Sequence, residues 1–283
     1  MIEGRPSRTA QRVALRRAAH QLIDRPLVHE DPLALRIIGA DEAAALRADP
    51  GQFERGLIAP VLRAFLAVRS RIAEDALAAA VAEGVSQYVV LGAGLDTFAY
   101  RNPFSHLRVF EVDHPATQAW KRERLAEGGI AVPANVAFAA IDFDSQQLPD
   151  VLHAVGLDAT KPAFFSWLGV TPYLETTTTL ATLDGIVPFA QGGGGVVFDY
   201  SIPPEMLPIL HRAAFAILEK RVRDAGEPFR GYFEPARIAT ALRTMGFVSV
   251  TDLGGDDIHA RWFADRADGL RVGSAGRIIV ARA

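Results

Sequence analysis

The stretch Gln87–Arg101, QYVVLGAGLDTFAYR, constrains the fold more than any other, because it joins a buried strand, a glycine turn and a helix start. Tyr88-Val89-Val90-Leu91 is a continuous apolar run of β-formers, the pattern of a strand covered on both faces in a parallel sheet. Gly92-Ala93-Gly94 ends that run. Glycines permit positive φ and let a ligand approach the main chain with no Cβ in the way, and Asp96 and Thr97 are suited to cap a following helix. Strand, GxG turn and helix together read as a nucleotide-type cofactor site at the carboxyl ends of the strands. The dinucleotide fingerprint GxGxxG is incomplete, with Phe98 or Ala99 in its third place, which favours a ligand without a pyrophosphate. A second strand is predicted at Leu107-Arg108-Val109-Phe110, ending in Glu111-Val112-Asp113. An acidic residue about 20 positions past the glycines is where a carboxylate holds a ribose diol. Asp113 lies 19 positions after Gly94, and Glu111 lies 17 after it.

The chain before this strand reads as helical. Val13, Ala14, Arg17, Ala18, Gln21 and Leu22 recur at three- and four-residue spacing, predicting a helix from Arg8 to about Asp24 capped by Ser7 or Thr9. A second helix is predicted from Pro32 into Leu46, and two more segments between Gly56 and Gly84. Residues 1–84 are therefore expected as a helical cap leading into an α/β core at 85–283, the whole forming one structural domain. Beyond Asp113, a helix over Ala116–Ala126 and strands over 135–140, 161–168 and 196–200 are expected. A helix over Leu207–Arg223 would be a lid insertion at about 203–234. Gly192–Gly195 precedes a strand instead of following one, so it reads as a turn and not as a phosphate cradle. Pro235 opens what reads as the last helix. Phe247–Leu253 and Arg277–Arg282 then read as strands joined by a Gly/Asp-rich loop, so the last strand enters antiparallel. The fold class expected is a doubly wound, mostly parallel, seven-stranded Rossmann-like sheet.

Composition narrows the function classes. A length of 283 residues and 49% hydrophobic content are ample for one large core. The net charge of −3 lacks the strongly basic face of a nucleic-acid binder. With no cysteine, disulfides, thiolate metal sites and thiol nucleophiles are excluded. No signal peptide or uninterrupted apolar span is visible, so a cytoplasmic protein without a membrane partner is expected.

The segments VVLGAGLDTFAYR and VFEVDHPATQAWKRERL resemble the leucine carboxyl methyltransferase-like family of S-adenosylmethionine-dependent O-methyltransferases. The likeness extends to SRTAQRVALRRAAH, DPLA, VRSRIAEDAL, FFSWLGVTPYLE and VVFDYS, and so covers most of the chain. It implies the class I methyltransferase fold and S-adenosylmethionine as cofactor. It further implies a cofactor site built from Gly92, Ala93, Gly94 and Asp96, with Glu111 and Asp113 at the ribose. Arg69 would grip the methionyl carboxylate through a planar guanidinium, and Arg8 and Thr9 match the amino-terminal segment reaching the same group. For Arg69 and Arg71 alike, the alternative is a solvated helix arginine. Asp142 would accept from the adenine amino group and the Phe143 amide would face a ring nitrogen, unless Asp142 and Asp144 simply form a loop and cap a following helix. The chain departs from the family at Trp167-Leu168, where a Glu usually opens the segment before Tyr173-Leu174.

The implied reaction is an in-line displacement at a sulfonium methyl, which needs no metal. The acceptor would be a carboxylate or hydroxyl oxygen of a small molecule or of a chain end. A carboxylate is already ionised at neutral pH, whereas a hydroxyl benefits from a base, for which His20, His114, His211, Tyr173 and Asp199 are candidates. Tyr173 is also placed to line the substrate pocket. Two other readings stay open: a methyltransferase-fold protein that binds S-adenosylmethionine without turnover, and an NAD(P)-dependent oxidoreductase.

Overall fold

A computed structural model describes residues 8–52, 55–56, 58–141, 146–224 and 226–283. Four helices come first: α1 (Arg8–Ile23), α2 (Ala34–Ile37), α3 (Ala40–Ala48) and α4 (Ala59–Ala82). The alternating part follows as β1 (Gln87–Leu91), β2 (Arg108–Asp113), α5 (Pro115–Glu127), β3 (Val136–Ala140), α6 (Leu148–Ala154), β4 (Ala163–Trp167), α7 (Thr176–Ala190) and β5 (Gly195–Ser201). Then come α8 (Ile209–Asp224), α9 (Pro235–Met245), β6 (Ser249–Leu253), α10 (Gly255–Trp262) and β7 (Gly276–Arg282).

The seven strands form one sheet in the order β3-β2-β1-β4-β5-β7-β6. β7 runs antiparallel to both β5 and β6, and the other pairs are parallel. This is the class I methyltransferase sheet, as expected. Strand order reverses between β1 and β4, which opens a crevice at their carboxyl ends. Alternation explains the apolar run of β1: Val89 and Leu91 enter one core with Phe110, Phe165 and Phe198, while Tyr88 and Val90 enter the other with Phe164 and Val197.

Several local expectations are corrected. Residues 59–82 form one helix instead of two, because Pro60 falls in the first turn, where it is tolerated, and no breaker follows until Gly84. Its Ala64, Val68, Ile72 and Leu77 pack directly on the sheet. The helix predicted from Pro32 to Leu46 is divided at Gly39, whose φ of 101° is left-handed. Beyond the glycine turn there is only a 3-10 turn, Phe98–Tyr100, started by Asp96 Oδ1 accepting from the Phe98 amide at 2.8 Å. Asn102-Pro103 follows and stops any continuation. The supposed loop before β7 contains α10, so α9 is not the last helix. Its glycines and aspartates read as loop formers, yet Asp257 accepts from the Gly254 amide at 2.9 Å and so starts a helix.

Buried charges fasten α1 to the glycine turn. Arg17 Nη2 donates to Asp31 Oδ2 at 2.5 Å and to Thr97 Oγ1 at 3.0 Å, and Nη1 donates to the Leu95 carbonyl at 3.3 Å. Thr97 Oγ1 donates in turn to Asp31 Oδ2 at 2.8 Å. Arg101 continues the network from Asp31 to Glu74, which also binds His29 Nε2 at 2.8 Å. Burial pushes the Glu74 carboxyl upward, but Arg101 and His29 outweigh it and hold it at about 2. A depressed carboxylate stabilises the fold above its unfolded pKa and loses that contribution as pH falls towards the folded value. Glu74 should contribute on the order of 3 kcal/mol at neutral pH, about half of it lost between pH 5 and pH 3 and the rest as pH falls through about 2. Urea unfolding of wild type and Glu74→Gln at both pH values checks this. The gap between the two proteins should shrink on acidification, and a constant gap would refute the assignment.

Candidate functional site

The crevice has a β1–β2 side and a β4–β5 side. On the first, three successive amides of the glycine turn are already engaged. Gly92 and Ala93 both donate to the Val112 carbonyl, at 2.8 and 3.1 Å, and Gly94 donates to Asp113 Oδ2 at 2.6 Å. A phosphate cradle needs such amides free and a helix amino terminus behind them. Neither is present at this turn, which argues against a dinucleotide pyrophosphate. Gly92 has φ 65° and Gly94 φ 46°. The space their missing Cβ atoms leave is used by protein, not ligand: a Cβ on Gly92 would meet Val170 Cγ2 at 2.4 Å, and one on Gly94 would meet Ala10 of α1 at 3.2 Å.

The two acidic residues of β2 separate clearly. Asp113 stands at the strand end, half-buried, with Oδ1 accepting from the His114 amide at 2.7 Å and Oδ2 from Gly94. Burial pushes its carboxyl above the usual range although two amides donate to it. Glu111 instead points into the protein, 1% exposed, where Lys121 Nζ at 2.8 Å and the Tyr100 hydroxyl at 2.6 Å occupy its carboxylate. The expectation of a ribose contact from Glu111 is corrected accordingly, since residue 111 sits two positions inside the strand on a covered face. Ala93 is buried, and Asp96 stays partly open beside Arg17. Arg8 begins α1, but its side chain, like Asp142 and Phe143, lies outside the described residues.

On the β4–β5 side, Asp199 of β5 joins three elements. Its Oδ2 accepts from Arg69 Nη1 of α4 at 2.9 Å, and its Oδ1 accepts from the Gly169 amide beyond β4 at 2.5 Å. Its carbonyl accepts from the Thr171 hydroxyl. Arg69 lies so close over Gly169 that a Cβ there would meet the guanidinium at 2.7 Å. Arg69 is thus a buried arginine, 8% exposed, while Arg71 is the solvated alternative and pairs with Asp75 at the surface. Where the family's Glu is missing, Trp167 lies in the core at 1% exposure and Leu168 packs on the opposite face. The carboxylate beside this segment comes from the neighbouring strand, as Asp199.

A cavity of about 1210 Å³ opens from this charged pair. α1, α4, α8 and the residues preceding β7 enclose it, with Tyr173 and Asp199 in its wall. The Tyr173 ring packs on Phe229 at 5.3 Å, and its hydroxyl meets Thr9, which also donates to Glu227. Burial pushes the Tyr173 phenol up to about 12, so it is protonated at neutral pH and cannot serve as a base there. His20 is spent structurally: Nδ1 bonds Asp24 at 2.6 Å, and Nε2 accepts from the Val28 and His29 amides. His114 caps α5 by accepting from the Ala116 amide. Of these three histidines only His211 borders the cavity, held to Ser274 Oγ at 2.7 Å.

Taken together, the crevice offers a carboxylate at one end and an Arg69–Asp199 pair of opposite charges at the other. That donor set suits a ribose diol joined to a zwitterionic amino acid, which is the chemistry of S-adenosylmethionine. The leucine carboxyl methyltransferase profile matches residues 10–187. The chain belongs to the leucine carboxyl methyltransferase family. YktD of Bacillus subtilis (strain 168), named for S-adenosyl-L-methionine-dependent methyl transfer, is 30% identical over 293 residues, covering 95% of each chain. A similarly named relative from Mycobacteroides abscessus is 32% identical over 197 residues, covering 69% of this chain and 65% of its own. A crystal structure from Thermobifida fusca YX, described as a methyltransferase, superposes with a TM-score of 0.54 at 18% identity, covering 99% of this chain and 96% of that one. Magnesium protoporphyrin IX methyltransferase from Synechocystis PCC 6803, crystallised with S-adenosylhomocysteine, gives 0.50 at 12% identity, covering 81% and 88%. At those identities the likeness is one of fold. This family member is therefore an S-adenosylmethionine-dependent methyltransferase, and no described helix is long and apolar enough to cross a membrane.

The sequence reading missed Asp31, Thr97, Arg101 and Glu74 as the frame of the crevice. One signal was present in Arg17, the one charged residue in the helical stripe of Val13, Ala14, Ala18, Gln21 and Leu22, which requires a partner if buried.

Proposed function

We propose that this enzyme methylates an oxygen, of a carboxylate or a hydroxyl, on a small molecule held in the cavity beside Arg69. The observation supporting this is the continuity of the Arg69–Asp199 pair with a partly open, largely apolar cavity, which suits an acceptor site beside the amino-acid end of the cofactor. S-adenosylmethionine, when bound, supplies a methyl group already activated by its sulfonium. The chain's own residues bind and align. Arg69 takes the methionyl carboxylate, Asp199 faces the ammonium, and Asp113 takes the ribose hydroxyls beside the glycine turn, Gly92 to Gly94, with Asp96 at its exit. Arg8, Asp142 and Phe143 keep the carboxylate and adenine roles that the family resemblance gives them. Tyr173 and Phe229 form the wall of the acceptor chamber and exclude water. Alignment of this sort contributes roughly 7–11 kcal/mol to such a displacement. A carboxylate acceptor arrives ionised, and for a hydroxyl the histidines bordering the chamber are His211 and His259.

The test is transfer of labelled methyl from S-adenosylmethionine to panels of carboxylic acids, phenols and alcohols. Label released as methanol by alkali marks an ester, and label retained in a mass-verified ether marks a hydroxyl acceptor. Labelled product only on nitrogen or carbon would overturn the reading.

A further inference from the structure

The walls of the chamber carry information about what fills it. Val61, Leu62, Phe65 and Leu66 recur at helical spacing along one face of α4 and lead to Arg69. The eight steps from Val61 to Arg69 correspond to about 12 Å of helix. α8 supplies a second face of the same kind, with Ala214, Phe215, Leu218 and Val222 in the cavity wall. Its deep end is fixed by Phe215 stacking on Phe229 at 5.9 Å, and Phe229 in turn lies on Tyr173. Its other end reaches the start of α4, where Arg221 Nη2 lies 3.8 Å from the place of a Cβ on Gly56. Two apolar helix faces would normally interdigitate at 8–10 Å between axes. Here both border open space. The α4 face cannot simply collapse, because Val61 and Phe65 are already braced from the side, within 3.1 and 2.7 Å of where Cβ atoms on Gly273 and Gly276 would lie.

Resting on the acceptor site proposed above, we infer that the acceptor is an elongated, mostly apolar small molecule. It lies lengthwise between α4 and α8 with its acceptor oxygen at the Arg69 end. A peptide end is disfavoured by the same walls. Those of its amide groups that lie against Val61, Leu62, Leu218 or Val222 would lack a partner, at a cost of kilocalories per group, and the polar lining of Gln11, Arg12 and Arg271 reaches only part of the cavity wall.

The experiment is calorimetric titration of the S-adenosylhomocysteine-loaded enzyme with n-alkanoic acids of increasing length, the matching 1-alkanols, and a tripeptide with a free carboxyl end. Affinity should rise about fourfold per added CH₂ until the slot is full, in the acids, the alcohols or both. Whichever series binds tighter identifies the oxygen class. Leu62→Asp and Leu218→Asp should each remove the length dependence while leaving S-adenosylhomocysteine affinity within about twofold. Affinity independent of chain length in wild type, or a tripeptide binding as tightly as dodecanoate, would overturn the inference. Methyl transfer is scored separately. A length-dependent ligand that is bound but never methylated supports the slot and removes the oxygen-transfer reading, and failure of S-adenosylhomocysteine to bind removes both.

Discussion

Arg69→Ala will weaken S-adenosylmethionine binding by roughly 10- to 100-fold, because charge-assisted hydrogen bonds contribute about 1.5–3 kcal/mol. The effect belongs at the upper end of that range for two reasons. Arg69 is buried, so little solvent screens its contact with a ligand carboxylate. Its loss also leaves the Asp199 carboxylate, 3% exposed, with the Gly169 backbone amide as its remaining donor, and that carboxylate would then face the incoming methionyl carboxylate unneutralised. Arg69→Lys should recover part of the affinity only, since an ammonium cannot serve Asp199 and a ligand carboxylate with the same planar fork. Calorimetry with S-adenosylmethionine and S-adenosylhomocysteine reads the result, and Asp113→Ala in parallel examines the ribose end. An Arg69→Ala protein with wild-type melting temperature and wild-type affinity would show that the cofactor carboxylate is held elsewhere.

Asp31→Asn will destabilise the fold by about 3–5 kcal/mol, the penalty for breaking a buried ionic network by removing one partner. The Asp31 side chain is fully shielded and serves Arg17, Thr97 and Arg101 at once. Burial pushes its carboxyl upward, and the two guanidinium groups and the Thr97 hydroxyl still hold it below the usual range. The amide would keep the shape and remove the charge, leaving two cations with a reduced share of anions. Asp75→Asn is the matched control. Asp75 pairs with Arg71 at 2.8 Å on an open helix face, with about half of each side chain exposed, and such pairs contribute at most about 1 kcal/mol. Urea unfolding of both variants should separate them by several-fold in lost stability. Equal losses would mean that the network is no stronger than a surface pair.

The parts of the molecule legible in advance are those written in local pattern. The apolar run of β1, the glycines after it and the spacing to Asp113 gave strand, turn and acidic residue, because each depends on neighbours within a few positions. The antiparallel β7 was legible from the lack of a long crossover. Glu111 was misread because residues 111 and 113 are both acidic and both lie near the spacing at which a ribose carboxylate is found. Only the sheet register, which pairs Glu111 with Val90 and Phe138 while Asp113 reaches the strand end, decides between them. The splitting of residues 59–82 failed for a similar reason, since an alanine-rich helix carries no internal mark of where it packs. Asp199 was a candidate base by residue type. Its actual neighbours, Arg69 and Gly169, are 130 and 30 residues away in sequence and meet it only through the order of β4 and β5. The cavity was beyond reach for the same reason, being a gap between α4 and α8 that no single segment encodes.

The seating of α1 has a consequence for how much of this chain can be dispensed with. A protein shortened to lack that helix would retain all seven strands, yet Asp31 and Thr97 would lose the guanidinium of Arg17, and Arg63 would lose the Asp24–His20 pair ordered by the helix end. Gly94 would lose its Ala10 neighbour and the chamber one wall. The amino-terminal helix therefore belongs to the cooperative unit of the sheet, and the two should resist protease together and unfold in a single transition.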